Sequence, residues 1–278
     1  MYKLMASDID GTLIGSDFKI SEYTQEIIKL AMAKDVHFIL ATGRIFGSAR
    51  IYARQLGLST PIITCNGGVI KDLKTGEKLY GKPIDKELCK DIFRILDEGQ
   101  RYFHFYGENN FYSEKLIFDS QRINQWNMSL PHADRIPIFE VKDPYCIPDK
   151  DPIYKILFHA TDPEDRQFYH ELFSKMPGIT LSSSWKNNFE ICGENVNKGT
   201  AVAGYAKSLG ISAKEVIAFG DNDNDIEMIR YAGLGVAVAN STQGLLDSAD
   251  YITESNDEDG VGKAIEKFVL RGEAHVKT

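Results

Sequence analysis

The apolar run Leu4-Met5-Ala6 leads into Asp8-Ile9-Asp10-Gly11-Thr12, and a second run, Val216-Ile217-Ala218-Phe219, leads into Gly220-Asp221-Asn222-Asp223-Asn224-Asp225. Two buried strands that both end in clustered acids constrain the fold strongly. Carboxylates one residue apart at a strand's end project together from its tip, and Gly11 lets the backbone turn sharply there. Such charge is unfavourable unless a cation neutralises it or one carboxyl keeps a proton. Metal-dependent phosphoryl transfer through an aspartyl-phosphate uses both conditions. The first segment alone also fits a calcium loop or a surface turn. An EF-hand, however, would continue with further oxygen ligands where Thr12 and Leu13 stand. In the second segment an acidic helix N-cap and first turn explains one or two of Asp221, Asp223 and Asp225. A bound metal explains all three.

Two other segments carry chemistry. His37-Phe38-Ile39-Leu40-Ala41-Thr42-Gly43-Arg44 reads as a strand ending in a hydroxyl and a glycine. Thr42 has a hydroxyl and, with Gly43, amides to offer a phosphate oxygen; for this segment alone, a plain Thr N-cap is the better reading. Asn197-Lys198-Gly199 opens the amphipathic stretch Ala201–Ala206. A lysine at a helix start opposes the macrodipole unless an anion sits there. A solvated surface lysine is the plainer alternative.

These four segments, in this order, resemble the haloacid dehalogenase-like phosphatase superfamily, and more narrowly its Cof-type branch of sugar-phosphatase-like proteins with a type-IIB cap. The matching positions are Asp8-x-Asp10-Gly11-Thr12, Thr42-Gly43-Arg44, Lys198-Gly199 and Gly220-Asp221-x-x-Asn224-Asp225. The resemblance implies that Asp8 is the nucleophile. It implies that Asp10 protonates the leaving oxygen, later deprotonates water, and binds metal through its backbone carbonyl. Thr42 and Lys198 then hold the transferring phosphoryl group. Phosphate or substrate contacts fall to Ile9, Thr42, Gly43, Arg44, Asn66, Lys198 and Asn224. The metal, Mg²⁺, falls to Asp8, Asp10, Asp221, Asn224 and Asp225, and an all-oxygen site suits that ion. Asp10 needs a proton when the ester enters, so its carboxyl is expected off the metal. Which acid is protonated rests on the resemblance.

Strands are expected at 3–7, 37–41, 61–65, 216–219, 235–238 and 251–253, and helices at 22–33, 46–55, 198–208, 225–231 and 261–270. This alternation predicts an α/β, doubly wound parallel sheet, whose ligands bind at the carboxyl ends of the strands. From 83 to 191 the texture changes. Aromatics crowd 102–126, prolines stand at 131, 137, 144, 148 and 152, strands are expected at 153–159 and 189–191, and a helix at 166–173. The expected organisation is a catalytic core of 1–82 and 192–278 with an inserted α+β cap at 83–191 that sets specificity. The stripe Phe168, Tyr169, Leu172 and Phe173 reads as cap core. Trp185, Lys186, Asn187 and Asn188 are candidates for specificity.

The chain has 278 residues, 43% of them hydrophobic, and a formal net charge of −8. That size supports two lobes. The acidity argues against nucleic-acid and anionic-membrane partners. No apolar run approaches a membrane span, and the start reads as a strand rather than a signal peptide. Cys65, Cys89, Cys146 and Cys192 are scattered and read as reduced thiols of a cytoplasmic protein. The expected reading is a phosphatase acting on a small phosphorylated metabolite. A phosphomutase using Asp8, or an idle phosphate-binding regulator, remains the alternative. Oligomeric state stays open.

Overall fold

The computed structural model describes residues 1–185 and 187–274. The chain first forms β1 (Leu4–Ser7), α1 (Glu22–Met32), β2 (His37–Ala41), α2 (Phe46–Gln55), β3 (Ile62–Thr64), β4 (Val69–Lys71) and β5 (Lys78–Gly81). There follow α3 (Lys86–Glu98), β6 (Phe103–Tyr106), β7 (Phe111–Ser113), α4 (Phe118–Ser129), β8 (Ile138–Glu140), β9 (Lys155–His159), α5 (Pro163–Ser174), β10 (Ile179–Ser182) and β11 (Asn188–Gly193). The chain closes with α6 (Lys198–Ser208), β12 (Val216–Gly220), α7 (Ile226–Tyr231), β13 (Leu234–Ala237), α8 (Gln243–Leu246), β14 (Tyr251–Ile252) and α9 (Gly260–Ile265).

Eight strands form one sheet in the order β14-β13-β12-β1-β2-β3-β4-β5. From β14 to β3 every pair is parallel. Both faces are covered, so its central strands are apolar throughout. Met5 of β1 packs with Ile28 of α1, Ala49 of α2 and Ala264 of α9. Its neighbours Leu4 and Ala6 face Val202 of α6 and Met228 of α7 on the other side. The sheet is thus doubly wound, but it is not wholly parallel as expected. β4 and β5 add to the edge antiparallel. The reason is the short turn through Cys65–Gly68, which cannot supply the long crossover a parallel neighbour needs. The last expected helix divides into α9 and a π turn over Glu266–Leu270.

Six strands form a second sheet, β10-β11-β9-β6-β7-β8. Its pleat sorts side chains by parity. Phe105, Ile156, Phe158, Phe189 and Ile191 point to one face, where Cys89, Ile92, Phe93 and Leu96 of α3 and Tyr169 and Phe173 of α5 cover them. Asp85 caps α3 by accepting from the amides of Glu87 and Leu88. Phe168 does not join this core and is 60% exposed; Tyr169 and Phe173, four residues apart, own the buried stripe, and Phe168 lies about a quarter turn round the helix. The opposite face carries Tyr106, Phe111, Lys155, Leu157, Asn188 and Glu190. Its apolar members Tyr106, Phe111 and Leu157 pack with Ile45, between β2 and α2, and with Cys65 and Val69 from around β3 and β4. One side of the second sheet is thereby pressed against the first sheet's loops. Among the described residues no helix is long and apolar enough to cross a membrane.

Candidate active site

The acids gather where the central strands end. Asp8 leaves β1 with its amide still donating to Phe219 O of β12 at 3.1 Å. Gly11 has φ of 73°, and a Cβ there would overlap the Asp221 carboxylate, so only glycine lets this turn close against the acidic loop. Thr12 donates its hydroxyl to Asp221 Oδ1 at 2.7 Å. Asn197 caps α6 by accepting from the Thr200 amide, and Lys198 enters the cluster from that first turn.

Lys198 is completely buried, with Nζ 2.9 Å from Asp8 Oδ1 and 2.7 Å from Asp225 Oδ1. Asp225 Oδ2 accepts from the amides of Asp221 and Asn222. Asp225 therefore anchors the lysine and its own loop. Asp8, Asp221 and Asp225 each bring a carboxylate oxygen within 4.8 Å of the others. Burial raises the Asp8 carboxyl well above its ordinary value; Lys198 opposes this, while Asp225, Asp221 and Asp10 add to it. Asp221 is pushed up to about 7, first by burial and then by Asp225. Three acids against one ammonium leave surplus negative charge, which a hard divalent cation would offset with the oxygen ligands it prefers.

That surplus has a testable consequence. The fold holds the Asp221 proton more tightly than the unfolded chain does, so without metal the folded state binds extra protons between pH 3.8 and about 7. Stability then falls as pH rises through that window. Thermal melts in EDTA on either side of it should show the fall, and added Mg²⁺ should reverse it. Melting in EDTA that ignores pH would contradict the charge surplus.

Asp10 is turned away from this group. Arg44 grips it with two parallel hydrogen bonds, Nε to Oδ2 and Nη2 to Oδ1, both 2.6 Å. Arg44 Nη1 donates to Ser48 Oγ at 2.9 Å. The guanidinium stands 5.0 Å from the Tyr52 ring centre and 5.4 Å from that of Trp126 on α4. The cleft walls push the Asp10 carboxyl up, but the Arg44 charge and hydrogen bonds win and hold it below its ordinary value. Two acids one residue apart thus have opposite electrostatics.

The family of haloacid dehalogenase-like hydrolases matches residues 5–265. The chain belongs to it. It is 30% identical to the putative phosphatase YxeH of Bacillus subtilis, over 97% of this chain and 99% of that one. It is also 30% identical to the 5-amino-6-(5-phospho-D-ribitylamino)uracil phosphatase YcsE of the same organism, over 96% of both. A solved haloacid dehalogenase-like hydrolase from B. subtilis superposes with a TM-score of 0.85 at 25% identity, covering 95% of this chain and 99% of its own.

Around the acids of this hydrolase the remaining expected residues divide. Ile9 is fully buried in the core, so its side chain is turned from the cleft. Thr42 is buried, and its amide donates to Ile63 O in the sheet at 3.0 Å. This removes the Thr42 amide from the expected phosphate donors and leaves the hydroxyl. Asn66 and Asn224 meet each other, Nδ2 of Asn224 to Oδ1 of Asn66 at 3.3 Å. A cavity of about 910 Å³ opens over Asp8, Asp10 and Arg44, and the second sheet's side adds Tyr106, Trp126, Leu157 and Trp185. Asn188 also borders it, but its Oδ1 accepts from the amides of Ser184 and Trp185 and so shapes their loop. Asn187 is exposed and is not among the cavity-lining residues. Lys186 lies outside the described residues. Two cavity residues escape sequence reading: Lys155 and Glu190, buried and paired at 2.7 Å. Their signal was the alternation Lys155-x-Leu157-x-His159 and Asn188-x-Glu190, with charges at positions a strand turns inward.

Proposed function

We propose that this hydrolase is a Mg²⁺-dependent phosphomonoesterase that works through an aspartyl-phosphate on Asp8. Its substrates are small phosphorylated metabolites, sugar phosphates foremost. The observation that carries the reading is the pairing of Asp8 with Lys198 inside the acid cluster, while Asp10 is held apart by Arg44. Mg²⁺, held by Asp8 and Asp221 with Asp225 behind them, would offset the repulsion between a carboxylate and a phosphate dianion. Asn224 and the Asp10 carbonyl complete the proposed metal set.

In this reading Asp8 attacks phosphorus, and Lys198 and the Thr42 hydroxyl stabilise the charge on the transferring oxygens. Gly43 joins them on the phosphate side. Asp10 gives its proton to the departing alcohol oxygen, then takes one from the water that cleaves the acyl phosphate. Arg44 favours Asp10 as carboxylate, the form that accepts the water's proton. Proton donation requires Arg44 to loosen its grip when the ester enters.

Residues 1–82 and 192–278 act as the catalytic unit and 83–191 as the cap that closes the cavity and reads the leaving group. Polar Asp119 and aromatic Tyr106, Phe111 and Trp126 on its wall suit an alcohol with hydroxyls and some apolar surface. One relative is named for an aminouracil phosphate, so ring-bearing esters belong beside sugars as test substrates. The unpaired cysteines suit a cytoplasmic setting.

The test is phosphate release from sugar phosphates and ring-bearing phosphomonoesters, with Mg²⁺ and with EDTA. The expected result is release that Mg²⁺ supports and EDTA removes, with sugar phosphates leading. A product isomer formed without free phosphate would mark a mutase instead.

A further inference from the structure

Lys155 on β9 and Glu190 on β11 lie on the second sheet's core-facing side, 3% and 2% exposed in their side chains. Burying an ion pair is weak support for stability, because both charges lose their water. What the pair touches is more informative. Lys155 Nζ donates to Glu190 Oε1 and to Gly43 O, each at 2.7 Å, and stands 4.5 Å from the Tyr106 ring centre. Glu190 Oε2 accepts from Asn66 Nδ2 at 2.8 Å and from Asn224 Nδ2 at 3.3 Å. Both carboxylate oxygens are thus engaged within the protein. The lysine has two acceptors and an aromatic face. The pair itself is saturated, unlike an open site awaiting a ligand.

Its three anchor points are the loops that follow β2, β3 and β12, which carry Thr42, Asn66 and Asn224. The middle loop is strained: Cys65 and Asn66 have φ of 50° and 54°, a left-handed region that non-glycine residues enter at a cost. Asn66 is kept there by its backbone amide, which donates a hydrogen bond to Thr42 O, and by Glu190. The carboxylate also decides which way both amides face. It accepts only, so the Nδ2 groups of Asn66 and Asn224 must turn towards it. Asn66 Oδ1 then serves Asn224, and Asn224 Oδ1 is left buried without a partner among the residues that border the active-site cavity.

We propose that Lys155 and Glu190 are positioning residues. Through them the second sheet sets the Gly43 carbonyl and the amide orientations of Asn66 and Asn224, and so shapes the phosphate side of the active site. The inference rests on the phosphomonoesterase reading. It makes the seating of the second sheet a condition for a correctly formed phosphate site, whatever the leaving group.

Glu190→Gln tests it with little change of shape. A glutamine that keeps its oxygen towards Lys155 presents its own NH₂ to two NH₂ donors, so at least one amide must turn over. A misplacement of about 1 Å costs on the order of a hundredfold in turnover. We expect kcat to fall by that order, KM to stay near wild type, and the loss to be the same for every ester. Asn66→Gly, which tolerates the left-handed backbone and leaves the ion pair whole, should lower kcat in the same pattern by a smaller factor. Both variants are compared per folded molecule, alongside their melting curves. Lower melting temperature with unchanged kcat would reduce the pair to a structural brace and overturn the proposal. A loss that differs from ester to ester would overturn it by making the pair a reader of the leaving group. A wild type that releases phosphate from none of the esters refutes the phosphomonoesterase reading and this inference with it; active wild type with unaffected variants refutes the inference alone.

Discussion

Asp8→Asn is expected to lower kcat by roughly 10⁴-fold or more, the scale seen when a nucleophile is removed from a preorganised site. Asparagine fills the same space but offers an amide oxygen that cannot form a stable phosphate ester and return to its starting state. The substitution should leave the surroundings in place. Lys198 keeps Asp225 at 2.7 Å, and the Asp8 amide keeps its bond to Phe219 O. It also takes one charge out of a crowded group of acids. Steady-state phosphate release and circular dichroism melts together check this: a folded, inactive protein is predicted. Turnover within about tenfold of wild type would show that Asp8 is not the attacking group.

Lys198→Met should be the most damaging single change to stability, and should lower activity as well. The ammonium is buried and satisfies Asp8 and Asp225 at once. Methionine keeps length and apolar bulk but leaves two carboxylates facing each other without their cation. Breaking a buried pair from one side costs about 3–5 kcal/mol. Loss of the charge proposed to stabilise the transferring oxygens should cost about 10²–10³ in kcat. Protonating the stranded acids relieves them, so the stability deficit should shrink at acid pH, and Mg²⁺ should recover part of it. Urea melts at several pH values and kinetics at saturating substrate check both. A variant as stable as wild type at neutral pH would mean that the lysine is not the counter-charge of this cluster.

The core was legible because burial on two faces writes itself into sequence. β1 and β2 are apolar runs, and α1, α2 and α6 carry regular stripes with Ser21 and Asn197 as caps. β4 and β5 were not foreseen: each is short, Lys71 ends one and every residue of the other is exposed. α3 was not among the expected helices, although the Asp85 cap and the spacing of positions 89, 92, 93 and 96, all buried, carry its signal. In the site, the acids and Lys198 stand in short motifs beside strand ends, where local sequence determines placement. Arg44 was expected to contact phosphate or substrate; it lines the cavity, with its charge against Asp10 and its face against Trp126 of 83–191. Lys155 and Glu190 carried only a weak signal, for a different reason. A charge in a strand usually meets water, and only the packing of one sheet against the other's loops buries these two.

The central claim is that phosphate visits Asp8 before it reaches water. The stereochemical course at phosphorus tests it most directly, using an isotopically chiral phosphate ester hydrolysed in isotopic water. Two successive in-line displacements, by Asp8 and then by water, predict net retention of configuration. Net inversion would mean that water attacks the ester in one step and would contradict the account.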